Sequence, residues 1–457
     1  MYQAPPVNKN EEIELTVESL SHEGVGVCKV NGYPLFVKNA LPGETVNVKV
    51  TKTLKNYGFG RLQEIVTPSI DRVTPPCAVY SQCGGCQLQH LSYQGQKNFK
   101  QQHVIDVFRR LGHFTDANVL ETKGMDNPWA YRNKSQLPYG TVNGMNQLGF
   151  YRERSHDLIA TDTCLIQNTH NDRAMQAINA ILAKHEVFPY NERTHKGVLR
   201  HVMLRYGRST NELMVVLITR TPDMPSRRVI VEEIIAAVPE IVSVYQNVNN
   251  KKTNVIFGEQ TIHLYGQETI EDTIHDVKFK ISPRSFYQIN PEQTEILYAE
   301  ALKSAALTGN ENVIDAYCGI GSISLCLAKD AKHVYGVEIV PEAIEDAKEN
   351  AIINGLENTT FEAGPAEVVI PNWYKQGITA DVICVDPPRK GCDEKLLNTL
   401  LKMKPRRIVY VSCNPATLAR DARVLVDGGY KLEDVQPVDM FPQTTHVEVV
   451  TAFTLVD

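Results

Sequence analysis

Short apolar runs alternating with polar positions fill residues 11–66, and helical periods appear only beyond them. The runs 13–17, 25–30, 33–37, 44–50 and 59–65 are strand-sized, and Glu23-Gly24, Asn31-Gly32 and Leu41-Pro42-Gly43 punctuate them as turns. Five such strands predict a small OB-like β barrel over 1–66. Pro68, Pro75 and Pro76 then mark a linker. Apolar residues at 104, 107, 108 and 111 predict a helix over 97–111, closed by Gly112. Strand-like runs at 213–219 and 242–248, with a helical period at 227–237 between them, complete a mixed α+β domain over 67–275.

In the remaining stretch, 276–457, the rhythm becomes strand then helix. Buried strands are predicted at 312–317, 334–338, 380–386 and 408–411. Helical patterns follow at 322–329, at 341–354 and from near Ala416. This alternation predicts a doubly wound, Rossmann-like parallel sheet with its ligand beyond the carboxyl ends of the strands. The chain is thus a multidomain α/β protein.

Length agrees, since 457 residues are too many for one core. No run of 18 apolar residues appears, and no basic-then-apolar start, so a cytoplasmic protein without membrane contact is expected. The net charge of −6 argues mildly against nucleic acid as a partner. Its distribution argues the other way, because residues 93–209 carry 16 Lys and Arg against 10 Asp and Glu. In the barrel, Lys52, Lys55, Tyr57, Phe59 and Arg61 put basic and aromatic residues on one hairpin, as phosphate contact and base stacking on RNA require. Arg132 and Lys134 repeat that mixture beside Tyr131.

The ten cysteines are unevenly spread. Cys77, Cys83 and Cys86 form a tight C-x5-C-x2-C trio, and Cys164 is the obvious fourth member. In a reducing compartment such a set points to metal rather than disulfides. Four thiolates fit tetrahedral zinc or a [4Fe–4S] cluster, and one tight trio with a distant single is more usual for the cluster. Radical S-adenosylmethionine chemistry is disfavoured, because its C-x3-C-x2-C spacing is absent.

Chemistry concentrates in the last stretch. In Ser412-Cys413-Asn414-Pro415 the cysteine sits at a strand's carboxyl end, where a following helix N-terminus is expected to favour its thiolate. In Asp315-Ala-Tyr-Cys-Gly-Ile-Gly321 the third glycine of a dinucleotide fingerprint is replaced by Ser324, which argues against pyrophosphate binding. A glycine turn with Glu338 at the next strand's end suits S-adenosylmethionine instead, and Asp386-Pro-Pro-Arg389 sets a carboxylate and a stiff turn beside the methyl group to be transferred.

With Ser285-Phe-Tyr-Gln-Ile-Asn290 and His446-Val-Glu448, these motifs resemble the RNA (uracil-5-)-methyltransferases over nearly the whole chain. The resemblance makes the barrel a TRAM domain and the four cysteines iron–sulfur ligands. The family's transfer-RNA branch lacks both features, so the likeness is closer to the 23S ribosomal RNA enzymes, with 23S rRNA as the partner. By motif, Gln288, Tyr317, Glu338 and Asp386 would bind the methyl donor, Cys413 would be the nucleophile and Glu448 the base. Phe286 or Tyr287 would stack on a uridine flipped from its neighbours. The chain is expected to act as a monomer. Two other classes need less: a non-catalytic RNA-binding assembly factor has no use for Cys413, Glu448 and Asp386 together, and an iron–sulfur electron carrier needs neither barrel nor donor pocket.

Overall fold

The computed structural model describes residues 5–456. Its first unit is a closed barrel of β1 (Glu12–Leu20), β2 (Gly26–Val30), β3 (Tyr33–Val37), β4 (Thr45–Thr53) and β5 (Gly58–Thr67), ordered β1-β2-β3-β5-β4. Alternation along the strands buries Val17, Leu35, Val37, Val46, Val48 and Val50 inside. Gly60 lets the barrel close, because a Cβ there would lie 2.2 Å from Val48 Cγ1.

The expected helix is α1 (Tyr93–Arg110), capped by the Ser92 side chain, which accepts from Gly95 N. It lies within the central segment by sequence but packs elsewhere. Its buried face, Val104 and Phe108, joins Phe114 in a core with Ile408, Tyr410, Leu418, Leu425, Val435 and Phe453 of the C-terminal sheet. The chain then runs along the edge of that sheet in parallel bridges, Val119 to Val435 and Lys123 to Val438.

The central sheet is built from β6 (Lys134–Val142), β7 (Met145–Tyr151), β8 (Leu158–Ala160), β9 (Leu199–Gly207), β10 (Glu212–Thr219), β11 (Ile241–Val248) and β12 (Gln260–Gly266). Its order is β12-β11-β10-β9-β6-β7-β8. Helices α2 (Thr169–Lys184) and α3 (Arg227–Ala237) cover one face. A hairpin, β13 (Ile270–Ile274) with β14 (Val277–Ile281), bridges the central sheet to the third unit, because Phe279 and Ile281 share a core with Met214 and Leu325.

That unit contains α4 (Pro291–Ala305), β15 (Asn312–Ala316), α5 (Ser322–Ala328), β16 (His333–Glu338), α6 (Pro341–Ile353), β17 (Thr359–Ala363), α7 (Ala366–Lys375), β18 (Val382–Val385), α8 (Glu394–Met403), β19 (Arg407–Ser412), α9 (Pro415–Asp427), β20 (Tyr430–Val438) and β21 (Glu448–Leu455). The sheet order β17-β16-β15-β18-β19-β21-β20 reverses between β15 and β18, and a crevice opens beyond the carboxyl ends of strands at such a switch point. Strands β15 to β19 pair in parallel, whereas β21 is antiparallel to both β19 and β20. The start of β21 therefore lies at the same sheet edge as the end of β19.

Candidate active site

Four strands deliver the predicted residues to this edge. Tyr317 follows β15, Glu338 ends β16, Asp386 follows β18 and Cys413 follows β19. Glu448 joins them because β21 runs backwards: Ser412 pairs with Val449, so Cys413 and Glu448 lie beside each other at the ends of neighbouring strands.

The turn after β15 is strained. Tyr317 has φ +70°, unusual for a bulky side chain, and Gly319 and Gly321 have φ +55° and +83°. Gly319 N donates to Glu338 Oε2 at 3.3 Å, and Val340 N donates to Glu338 Oε1 at 3.0 Å, which fixes the carboxylate at the crevice rim. A Cβ at Gly319 would meet nothing within 4 Å, so the turn opens onto free space. Behind it, Ser324 Oγ donates to the buried Asp315 carboxylate.

Asn414 caps α9, its side chain accepting from Ala416 N at 3.1 Å, while its amide donates to Arg389 O at 2.9 Å. The Asp386-Pro-Pro-Arg389 turn is thereby tied to the helix that follows Cys413. Tyr410 Oη donates to Asp421 Oδ2 at 2.7 Å, and Cys392 N donates to the same oxygen at 2.9 Å, holding the rest of that turn.

The electrostatics differ from the sequence expectation at Cys413. Its thiol is pushed up to about 11, by burial first and then by Glu448 and Asp386, while Arg389 pulls it down. The helix N-terminus does not win, because burial penalises the thiolate most and the Glu448 and Asp386 carboxylates oppose its charge. Glu448 is 4% exposed. Burial lifts it to about 8, Asp386 adds to the rise and Arg389 opposes it. Asp386 is raised to about 7 by burial. Asp315 also reaches about 7, through burial and through Asp386 and Glu338, against the Ser324 bond. The crevice is therefore an acidic hollow short of positive charge, a setting complementary to a sulfonium cation.

Gln288 lies on the loop before α4, which is tied down through its backbone. Asn133 Nδ2 donates to Gln288 O at 3.0 Å, and Asn290 Nδ2 donates to Met440 O at 3.1 Å, close to the approach to Glu448. Buried Arg205 donates to Ser282 O and Ser285 O at 2.9 and 2.8 Å, stiffening the same loop. Of the two aromatic residues there, Tyr287 belongs to the core, whereas Phe286 is 69% exposed. Only Phe286 is free to stack on a base.

Lys134 lies nearby and is lowered to about 7, by burial first and then by Arg205 and Arg132. The RNA-facing candidates of the barrel are not brought to the crevice. Lys52, Lys55 and Arg61 are exposed on the β4–β5 hairpin. Phe36, Tyr57 and Phe59 cluster there with centroids 5.7–5.9 Å apart.

Among the described residues, no three His, Cys, Asp or Glu side chains stand in a geometry that would hold a metal ion. The predicted cysteines nevertheless share one neighbourhood as free thiols. Cys86 is raised to about 12, by burial first and then by Cys164, Cys83 and Cys77, although Gln89 opposes the rise. Cys164 is raised to about 11, burial leading and Cys83 contributing. These shifts place the cysteines near one another, and any thiolate formed there would be disfavoured by burial and by its neighbours. A Cβ on Gly84 would lie 3.2 Å from Glu153 Cα, so this glycine lets the Cys83–Cys86 turn press on the chain just beyond β7.

Signals for Lys134, Asp315 and Arg389 were present in the motifs around Tyr131, the glycine turn and Asp386. Lys100 and Gln96, buried in α1 and bonded to the loop before Glu448, gave no sequence signal at all.

Comparisons with known proteins agree with this architecture. The tRNA (Uracil-5-)-methyltransferase family model matches residues 242–454, and the TRAM domain model matches 6–63. An uncharacterized RNA methyltransferase of Listeria innocua is 58% identical over 99% of this chain and 100% of its own length. One from Enterococcus faecalis is 52% identical over 98% of each chain. The crystal structure of Pyrococcus abyssi tRNA (uracil-54, C5)-methyltransferase in complex with S-adenosyl-L-homocysteine superposes with a TM-score of 0.76 at 27% identity, covering 97% of this chain and 100% of that one. An N-terminal TRAM barrel joined to a methyltransferase sheet, and relatives matched from end to end, place the chain in the RNA (uracil-5-)-methyltransferase family.

Proposed function

We propose that the protein methylates carbon 5 of a uridine in 23S ribosomal RNA, with Cys413 as nucleophile and Glu448 as base. The observation that carries this reading is the pairing of Ser412 with Val449, which sets Cys413 beside Glu448 at the switch-point edge next to Asp386.

Carbon 5 of uracil is too weak a nucleophile to attack a methyl sulfonium unaided. Cys413 loses its proton to solvent and adds as the thiolate to carbon 6, which breaks the 5,6 double bond and leaves an enolate with carbon 5 nucleophilic. S-Adenosylmethionine, when bound, supplies the electrophilic methyl group and a positive charge that offsets the surrounding carboxylates. Glu448 then takes the proton from carbon 5, and the electron pair restores the double bond as Cys413 leaves. A pKa of about 8 suits this task, being close to the working pH in a nearly dry position.

Gln288, Tyr317, Glu338 and Asp386 hold the donor in this reading. Glu338 takes the ribose hydroxyls, and the Gly319–Gly321 turn admits the amino-acid portion. Phe286 stacks on the flipped base, and Arg132 and Lys134 meet its phosphates beside it. The barrel grips RNA further away. Cys77, Cys83, Cys86 and Cys164 hold a [4Fe–4S] cluster, which when bound supplies a rigid cross-link between the post-barrel linker and the loop at Cys164. The chain works as a monomer in the cytoplasm.

A second reading has transfer RNA as substrate. The Pyrococcus enzyme named for tRNA uracil-54 matches 97% of this chain, which leaves almost none of the barrel outside the match. The barrel therefore does not separate the two branches, nor does the 77–164 segment with its cysteines, which the same match leaves almost no room to exclude, so the labelled-methyl assay decides between the two RNAs.

Two variants test the mechanism with both RNAs. Cys413→Ala should abolish methylation and any covalent protein–RNA adduct. Glu448→Gln should transfer the methyl group and then stall, with RNA held to the protein through a denaturing gel. An adduct from Cys413→Ala, or normal turnover by Glu448→Gln, would overturn the roles, and labelled methyl appearing only in tRNA would move the substrate.

A further inference from the structure

Glu448 opens β21, and the chain reaches it from β20 through the loop 439–447, Val438 being paired with Glu448. Local bonds shape part of this loop, Thr444 N and Oγ1 donating to Phe441 O at 3.2 and 2.8 Å. Four of its backbone carbonyls are also held by residues from far away in the chain. Asn290 donates to Met440 O at 3.1 Å, Lys100 to Phe441 O at 3.1 Å and Tyr131 Oη to Pro442 O at 3.0 Å. Gln87 N and Leu88 N both donate to Gln443 O, each at 3.0 Å.

Two side chains of α1 close the arrangement. Gln96 forms a reciprocal pair with Gln443: its amide donates to Gln443 Oε1 at 3.0 Å, and its carbonyl accepts from Gln443 N at 2.9 Å. Gln443 needs this support, because it has φ +70°. One turn on, fully buried Lys100 pairs with fully buried Asp439 at the loop's start. Burying an amide pair and an ion pair is costly, the more so because Asp439 Oδ2 has no partner, so their presence here marks a demand for one geometry.

We infer that Gln96 and Lys100 are positioning residues for the proton-abstraction step, holding the 439–447 loop so that Glu448 faces carbon 5 of the Cys413-bound uracil. This rests on the proposed role of Glu448. It also accounts for α1, central by sequence, being packed on the C-terminal core. Gln87 directly follows Cys86, so whatever fixes the four thiols also fixes one end of this clamp.

The test is a step-resolved assay on the full-length protein with S-adenosylmethionine and a uridine-containing substrate RNA. Gln96→Met removes the amide pair at nearly constant volume. It should lower kcat by about tenfold to a hundredfold, as a small misplacement of a catalytic group does, and lower the KM for donor and RNA with it, because a step after methyl transfer becomes limiting. Methylated RNA should accumulate as a covalent adduct on a denaturing gel. Gln443→Gly suits the positive φ, keeps the carbonyl held by Gln87 and Leu88, and removes only the side-chain partner, so it should show the same adduct in a well-folded protein. Unchanged kcat in both variants, or a lower kcat without adduct, overturns the inference. Glu448→Gln run alongside separates the two failures: normal turnover by it sinks the base assignment, while adduct from it alone sinks the positioning role.

Discussion

Replacing Glu448 by Gln should make the donor-free protein more stable at alkaline pH while stopping turnover. Glu448 ionises near 4.5 in an unfolded chain and near 8 in the folded one. A carboxyl with a raised folded pKa contributes its full stability below pH 4.5. That contribution falls by about 1.4 kcal/mol for each pH unit up to 8, and then levels off. The gap between 4.5 and about 8 thus amounts to about 5 kcal/mol at pH 9, carried by one side chain. Gln keeps the shape and cannot ionise, so its own burial cost is the same at every pH. The comparison is the difference in thermal midpoint between Glu448→Gln and wild type, taken at pH 5 and at pH 9 without donor. At about 2–4 °C per kcal/mol, even half of the effect gives the variant about 5–10 °C of extra advantage at pH 9 over pH 5. A difference that does not change with pH would refute the reasoning, because it would mean that Glu448 is not held in a setting hostile to its charge.

Other outcomes follow from the same structure. Single-turnover release of methylated RNA should accelerate from pH 6 to about 8 as Glu448 ionises, and a rate flat over that range would contradict its use as base. Changing Lys52, Lys55 and Arg61 together to Ala should lower the slope of log affinity against log salt by about 2 for single-stranded RNA, with donor binding measured by calorimetry unchanged. Protein purified without oxygen should be brown with about four irons per chain by metal analysis, whereas a colourless preparation with one zinc would replace the cluster by a zinc site. Phe108→Ala should cost about 3–5 kcal/mol in denaturant unfolding and should loosen the C-terminal unit rather than the central sheet, since Phe108 is fully buried against α9 and β20.

Much of the fold was legible from local pattern. The barrel strands appear where alternation and turn residues put them, because a half-buried strand must alternate whatever it packs against. Strand-then-helix alternation in 276–457 announced the parallel sheet, and the helix expected from near Ala416 begins with Asn414 as cap and Pro415 as first residue, whereas α4, which starts the same way at Asn290-Pro291, was not among the expected helices. Residues of one motif stayed together because a turn of a few residues has few conformations. At Ser285-Phe-Tyr-Gln-Ile-Asn290 the motif was visible, but which aromatic residue was core and which exposed was not, since both Phe286 and Tyr287 would suit either place.

Sequence alone therefore determined the barrel strands, the strand-then-helix rhythm of the last unit and which motifs stand at its strand ends, all consequences of short-range sterics and polarity. Tertiary structure decided what depends on distant partners. It chose the direction of β21, which brings Glu448 to Cys413 across a gap in sequence that no local rule spans. It chose the sheet on which α1 packs, since an apolar stripe states only that a partner exists. It also reversed the expectation for the Cys413 thiol: a helix N-terminus acts over one turn, whereas burial and the charges of Glu448 and Asp386 are set by strands from elsewhere in the chain. Charge in a low-dielectric crevice is a property of the whole assembly around it, and it is written in no single stretch of the sequence.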